Sequence, residues 1–260
     1  MSRVMHFIDG FNVYWSLKEN SNYHKYLWLD YMELAKHFNR KKDIIAGVKY
    51  FTAFRYFKPE SVRRHERYAE ALESRGVEII AGKFKDKDRR CKLCYRSAIY
   101  KEEKQTDVNI ASKLFQEGIA DTYDTAILYT NDTDLIPAIV GARDSFQNKK
   151  FGIVFPIGRF AHELYTVAQS RGIFWRRVEE KHLRRSQLPD QITMPNGVEV
   201  NGVSSRLSHF PQLGKPGSEH PPSHEATAAS FKNHLDLDYV LRLGNRPSSS
   251  SLFPPPCDVL

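Results

Sequence analysis

Four aspartates, Asp9, Asp107, Asp132 and Asp134, have the types and spacing to do chemistry together. Asp9 directly follows the apolar run Val4-Met5-His6-Phe7-Ile8, and Asp132 and Asp134 follow Ile127-Leu128-Tyr129-Thr130. Each run reads as a strand, so three of the acids stand at strand C-terminal ends. Asp107 opens a helical stretch whose Val108, Ala111 and Leu114 can pack inward. Taken singly, each acid has a structural explanation. Asp107 suits a helix dipole with Thr106 as the cap, Asp132 can cap a helix beginning near Leu135, and Asp9-Gly10 is ordinary turn chemistry. Taken together they need more, because clustered carboxylates raise one another's pKa unless a cation compensates. Their hard oxygen donors suit Mg²⁺ or Mn²⁺, ions that activate water and neutralise charge on a phosphodiester.

The elements that must position these acids alternate along the chain. Strand patterns fall at 4–8, 46–54, 77–81, 125–130, 151–155 and 173–177. Between them, helical patterns fall at 12–18, 31–38, 59–76, 106–116, 135–146 and 161–170, with Pro59 opening one and Gly76 closing it. Such alternation predicts right-handed crossovers and a mostly parallel sheet with helices on both faces, an α/β fold. The runs Ala126–Tyr129 and Phe151–Phe155 are nearly all apolar, as strands covered on both sides must be. In an open parallel sheet ligands bind beyond the carboxyl ends of the strands, which is where the strand-end acids fall.

Three runs carry a family resemblance: Phe7-Ile8-Asp9-Gly10-Phe11-Asn12, Lys104-Gln105-Thr106-Asp107-Val108, and Thr130-Asn131-Asp132-Thr133-Asp134-Leu135-Ile136-Pro137. In this order they resemble the NYN domain, a branch of the PIN-like nucleases, and within it the LabA-like group, over residues 3–177. The resemblance implies a three-layer α/β/α PIN-like domain and a divalent-metal ribonuclease site that acts on RNA through a metal-activated water. It assigns Asp9, Asp107, Asp132 and Asp134 as the metal-binding acids. Asn12 matches the polar residue after the first acid, an amide able to orient a water or a phosphate. The family often carries Gly before the acid that Asp132 matches. Asn131 stands there instead, and Asn tolerates left-handed backbone better than most residues. The reading that competes is a catalytically idle RNA-binding or regulatory module on the same fold.

A basic run meets a cysteine pair in Lys83-Phe84-Lys85-Asp86-Lys87-Asp88-Arg89-Arg90-Cys91-Lys92-Leu93-Cys94-Tyr95-Arg96, expected to be irregular in structure. Lys85, Lys87, Arg89, Arg90 and Lys92 are candidates to neutralise RNA phosphates, with Phe84 or Tyr95 stacking on an unpaired base. Lys104 can pair with Asp107 or reach phosphate, and Arg176, Arg177, Arg184 and Arg185 can add to the same field. Cys91 and Cys94 supply two of the four ligands that structural Zn²⁺ needs, so a zinc site there requires further ligands, for instance from a second subunit.

Composition sets the remaining bounds. The 260 residues are 41% hydrophobic, enough for a sizeable core, and carry a formal charge of +8. Residues 190–260 hold five basic and seven acidic side chains, so the preceding part is the more basic, which favours a polyanionic partner. Nine of the 13 prolines also lie at or beyond Pro195. The chain is therefore read as a nuclease-type domain over 1–188 and a Pro/Ser-rich, largely disordered tail over 189–260, with 235–243 as a segment able to dock. The tail can recruit a protein partner, and a homo-oligomer is allowed. Three cysteines form no disulfide framework, and neither a signal peptide nor an 18-residue apolar run is apparent, so a cytoplasmic protein without a membrane partner is expected. Phe11 stands where an aspartyl phosphatase needs a second acid. No Gly-rich dinucleotide fingerprint or P-loop is present.

Overall fold

The computed structural model describes residues 1–54, 59–90, 97–193 and 199–201. It divides into a unit of Met1–Asp88 with Ile99–Phe210 and a unit of Arg89–Ala98 with Pro211–Leu260. Of the second unit only residues 89–90 and 97–98 are described, and the helices and nearly all of the sheet belong to the first.

The first strand, β1 (Arg3–Asp9), leads into α1 (Gly10–Lys18). After a 3₁₀ turn at Ser21–Tyr26 come α2 (Tyr31–Lys36), β2 (Ile44–Ala53), α3 (Pro59–Ser74), β3 (Val77–Arg90) and β4 (Ser97–Lys104). The second half runs α4 (Thr106–Ile119), β5 (Thr125–Tyr129), α5 (Ile136–Ser145), β6 (Lys150–Phe155), α6 (His162–Ser170), β7 (Phe174–Arg177) and α7 (Glu180–Arg185). A small antiparallel pair closes the described chain, β8 (Gln191–Thr193) with β9 (Glu199–Asn201). The main sheet has seven strands in the order β4-β3-β2-β1-β5-β6-β7, and the six from β3 to β7 are parallel. Among the described residues no helix is long and apolar enough to cross a membrane.

Strand periodicity sorts the core into two layers. On β1, Val4 and Ile8 enter one cluster with α1, α2 and α7, while Met5 and Phe7 enter the other with α4, α5 and α6. β5 repeats the pattern, with Ile127 and Tyr129 on one side and Ala126 and Leu128 on the other. The expected α/β/α sandwich is therefore present, with β1 and β5 at its centre.

Three expectations need correction. The basic segment after residue 81 is extended rather than irregular: β3 pairs with β2 only over Val77–Gly82, then runs on to Arg90 with β4 beside it. The continuation leaves β2 on the side of the strand C-termini. Val108 points to solvent at 65% exposure, and Ile110 and Leu114 fill the core beneath α4. Ile192 is buried in the core, so packing continues past residue 189. Most of 189–260, including 235–243, lies outside the described residues, as do Cys91, Lys92, Cys94, Tyr95 and Cys257.

Candidate metal centre

Asp9 is the last residue of β1 and the N-cap of α1. Its Oδ1 accepts the Asn12 backbone N–H at 3.1 Å, and its Oδ2 accepts the Asn12 side-chain amide at 2.7 Å and the Thr130 hydroxyl at 2.9 Å. The carboxyl is only 3% exposed. Burial pushes its pKa up from 3.8 to about 6, the three hydrogen bonds offset only part of that, and the nearby Asp132 adds to the rise. Gly10 is required beside it, because a Cβ there would lie 2.5 Å from the Phe51 carbonyl oxygen and 2.7 Å from the Tyr50 ring.

Register places the second acid. Ile8 pairs with Tyr129, so Asp9 is level with Thr130 and the loop after β5. The Thr130 hydroxyl accepts the Asp132 N–H at 3.0 Å while donating to Asp9, so one side chain orients both acids. Asp132 Oδ1 in turn accepts the Asp134 N–H at 2.9 Å, capping the 3₁₀ turn Thr133–Leu135 ahead of α5. Asp107 arrives in the first turn of α4. The chain turns from β4 into that helix at Gln105, whose φ of 84° is left-handed. Gln105 is the N-cap without a side-chain bond, and the expected cap, Thr106, is buried instead.

Asp9, Asp107 and Asp132 each offer an oxygen within 4.8 Å of the others. Opposed ligands of an octahedral Mg²⁺ or Mn²⁺ stand about 4 Å apart, so the three can close on one hard cation with little movement. All three also sit at helix or turn N-termini, whose dipoles partly offset their mutual repulsion. The cap and cluster readings of Asp9 and Asp132 therefore hold at once. Asp134 is exposed and outside the cluster.

The flanking polar residues form a chain. Asn12 Oδ1 accepts the Asn131 N–H at 3.2 Å, and Asn131 Oδ1 accepts the Ala161 N–H at 2.6 Å. Asn131 is absent from the positive-φ residues, so its side chain bridges two loops and no left-handed turn is needed. Neither Thr130 nor Asn131 is marked as a site residue by its type. The signal each carries is position, immediately ahead of a strand-end acid.

The basic candidates divide. Lys85 is exposed in the β3 ribbon, while Lys87 and Lys104 both pair with Glu102 across from it, at 2.8 and 3.1 Å. Arg89 and Arg90 lie in the β3 backbone, with side chains outside the described set. Arg176 and Arg177 end β7, at the opposite edge of the sheet, and Arg184 and Arg185 lie on α7.

A family model described as NYN domain matches residues 3–170. A curated relative, the 6-hydroxy-3-succinoylpyridine 3-monooxygenase HspA of Pseudomonas putida (strain DSM 28022 / S16), is 29% identical over 189 residues, covering 59% of each chain. The chain thus spans less than two thirds of that relative's length. Among solved structures, a protein of unknown function from Vibrio parahaemolyticus RIMD 2210633 is similar with a TM-score of 0.47 and 16% identity, over 69% of this chain and 94% of that one.

Proposed function

Because the chain belongs to the NYN domain family, we propose that it is a divalent-metal-dependent ribonuclease that hydrolyses RNA phosphodiester bonds. The observation that carries this reading is the meeting of Asp9, Asp107 and Asp132, from three distant segments, around a space fit for one hard cation. A bound Mg²⁺ or Mn²⁺ supplies a water of lowered pKa and neutralises charge on the phosphodiester. Asp9, Asp107 and Asp132 would hold the ion, with Asp134 close enough in sequence to contribute through its water shell. Thr130 and Asn12 fix the Asp9 oxygens, leaving that carboxylate one orientation. Lys85, Lys87, Arg89, Arg90, Lys92 and Lys104 are proposed to contact RNA phosphates from the ribbon side. A cytoplasmic location belongs to the same proposal, since paired thiols without a disulfide framework suit a reducing compartment.

The monooxygenase activity in the relative's name stays with that relative. Non-haem oxygenases favour two histidines and one carboxylate around iron, whereas the cluster here is all carboxylate. That donor set favours hydrolysis over oxygen chemistry.

A second reading has one specific support: Asp9 and Asp132 already serve as turn caps, so both have work in a protein that cleaves nothing. The deciding experiment incubates single-stranded RNA with Mg²⁺ or Mn²⁺ beside the Asp132→Asn protein. Cleavage by the wild type that is lost in the variant supports the nuclease. Tight RNA binding with no metal-dependent cleavage makes the protein an idle binding module.

A further inference from the structure

A second constellation lies on the rim that carries the acids, at the β6–β7 corner. Phe160, in the loop between β6 and α6, is 38% exposed and packs beside Phe155, Tyr165 and Trp175 with ring centroids 4.9, 5.2 and 6.3 Å away. Arg177, the last residue of β7, lays its guanidinium over that ring, 4.0 Å from its centroid and 5.8 Å from that of Trp175. Arg177 is exposed, and among the described residues it pairs with no carboxylate. An unpaired arginine on a surface ordinarily samples many rotamers. Here a cation–π contact with Phe160 restrains the guanidinium, while the side chain as a whole stays exposed to solvent. A plane for an unpaired base and a fork of donors for a phosphate are what a single-stranded nucleic acid requires.

Position relates this corner to the acids. Tyr129 pairs with Val154, and Phe155 pairs with Arg177, so Arg177 is level with Thr130 and two strands away. At the usual strand spacing that is about 10 Å, next to the acids yet outside their reach. A bonded path joins the two places. The loop bearing Phe160 is anchored where the Ala161 N–H meets Asn131, Asn131 reaches Asn12, and Asn12 holds Asp9.

We infer that Arg177 seated on Phe160 is a binding subsite for the substrate strand on the β7 side of the metal centre, and that Asn131 positions this subsite relative to the acids. The substrate class rests on the proposed nuclease activity. The subsite takes a nucleotide next to the scissile phosphate, stacking its base on the guanidinium plane or holding its phosphate on the guanidinium edge.

The test measures binding of a labelled single-stranded RNA oligonucleotide by anisotropy in EDTA, where no cleavage occurs, across a salt series. Arg177→Gln should bind about tenfold more weakly, and the slope of log affinity against log salt should fall by about 0.7, the loss of one phosphate contact. Arg177→Lys should keep most of the slope yet stay weaker than wild type, since it keeps the charge and loses the plane. Asn131→Ala should also weaken binding, and combining it with Arg177→Gln should add nothing, because both remove the same subsite. Additive losses would mean that Asn131 has only a structural role and would overturn its part of the inference. An Arg177→Gln protein with wild-type affinity and slope would overturn the subsite, while metal-dependent cleavage by the wild type left the nuclease reading standing. A wild type that neither binds nor cleaves RNA would overturn both. Arg177 is exposed, so an unchanged melting temperature certifies that its variants are folded, and a single cooperative unfolding transition does so for Asn131→Ala.

Discussion

Asp9 and His6 lie three residues apart on β1 and titrate in opposite senses. His6 is fully buried, its Nε2–H donating to Asn39 Oδ1 at 2.9 Å and its Nδ1 accepting from the Tyr129 hydroxyl at 3.0 Å. This neutral ring has its pKa pushed down by burial from 6.5 to about 4. A depressed histidine contributes stability that is full above pH 6.5 and is lost as pH falls through about 4. Asp9, raised from 3.8 to about 6, does the reverse: its contribution is full below pH 3.8 and lost as pH rises through about 6. Each shift corresponds to about 3 kcal/mol. Between pH 4 and 6 the two slopes oppose each other, so the cation-free protein should show a nearly level stability from these residues. Asp9→Asn removes one of them. Denaturant unfolding of that variant should show stability climbing by about 3 kcal/mol between pH 4 and 6.5. Saturating Mn²⁺ should uncover the same climb in the wild type, because a cation favours the ionised carboxylate. A level profile in the variant would contradict the assignment of His6. At this scale the sequence reveals the acids, since strand-end placement is readable from apolar runs. It does not reveal Thr130 and Asn131, whose roles depend on hydrogen bonds between segments remote in the chain.

At the scale of elements, the site depends on how closely α1 begins against β2. Gly10→Ala sets a methyl against the Phe51 carbonyl oxygen, a backbone atom with no freedom to withdraw. The expected result is a loss of about 1–3 kcal/mol in denaturant unfolding together with weaker Mn²⁺ binding, since Asp9 must shift with its neighbour. Unchanged Mn²⁺ affinity would show that the acids tolerate displacement of this turn. The same physics explains which elements are legible in the sequence. β1, β5 and β6 are covered on both faces, so their apolar runs announce them. β3 beyond Gly82 has no such cover. Its Lys-Asp-Lys-Asp pattern lacks apolar alternation, and its pairing rests partly on contacts such as Lys87 with Glu102 on β4. The 3₁₀ turn at Ser21–Tyr26 lacks the α-helical period, and α7 buries only Leu183, so no apolar stripe marks it. The residue pattern identifies α4 as a helix but turns it wrongly about its axis, because Val108 and Ile110 are equally apolar and only the packing distinguishes them. It also misplaces the cap, because Gln105 makes the turn by backbone geometry alone.

Across the whole molecule, the acids sit at the middle of the sheet rather than at an edge. β1 and β5 are the fourth and fifth of seven strands. The lysine-bearing ribbon lies to one side, and Arg177 ends the outermost strand on the other. At normal strand spacing the rim is about 29 Å wide, room for several nucleotides of an extended strand. On the proposed nuclease reading, basic groups on both flanks would attract phosphates on both sides of the one being cleaved, and a bound strand would continue past the acids in each direction. An enzyme that binds its substrate this way has no need of a free end. A circular single-stranded RNA should therefore be cut with Mn²⁺ at a rate within a few-fold of a linear RNA of the same sequence. Gel electrophoresis should show full-length linear product before any shorter fragment. Cleavage confined to the linear form would mean that an end is recognised, which the two-flank arrangement does not accommodate. Raising the salt from 50 to 200 mM should weaken binding of either RNA, with a slope set by contacts on both flanks. Charge removal at Lys85 and at Arg177 should each lower that slope, and the two reductions should add, because the residues stand at opposite ends of the sheet and share no partner.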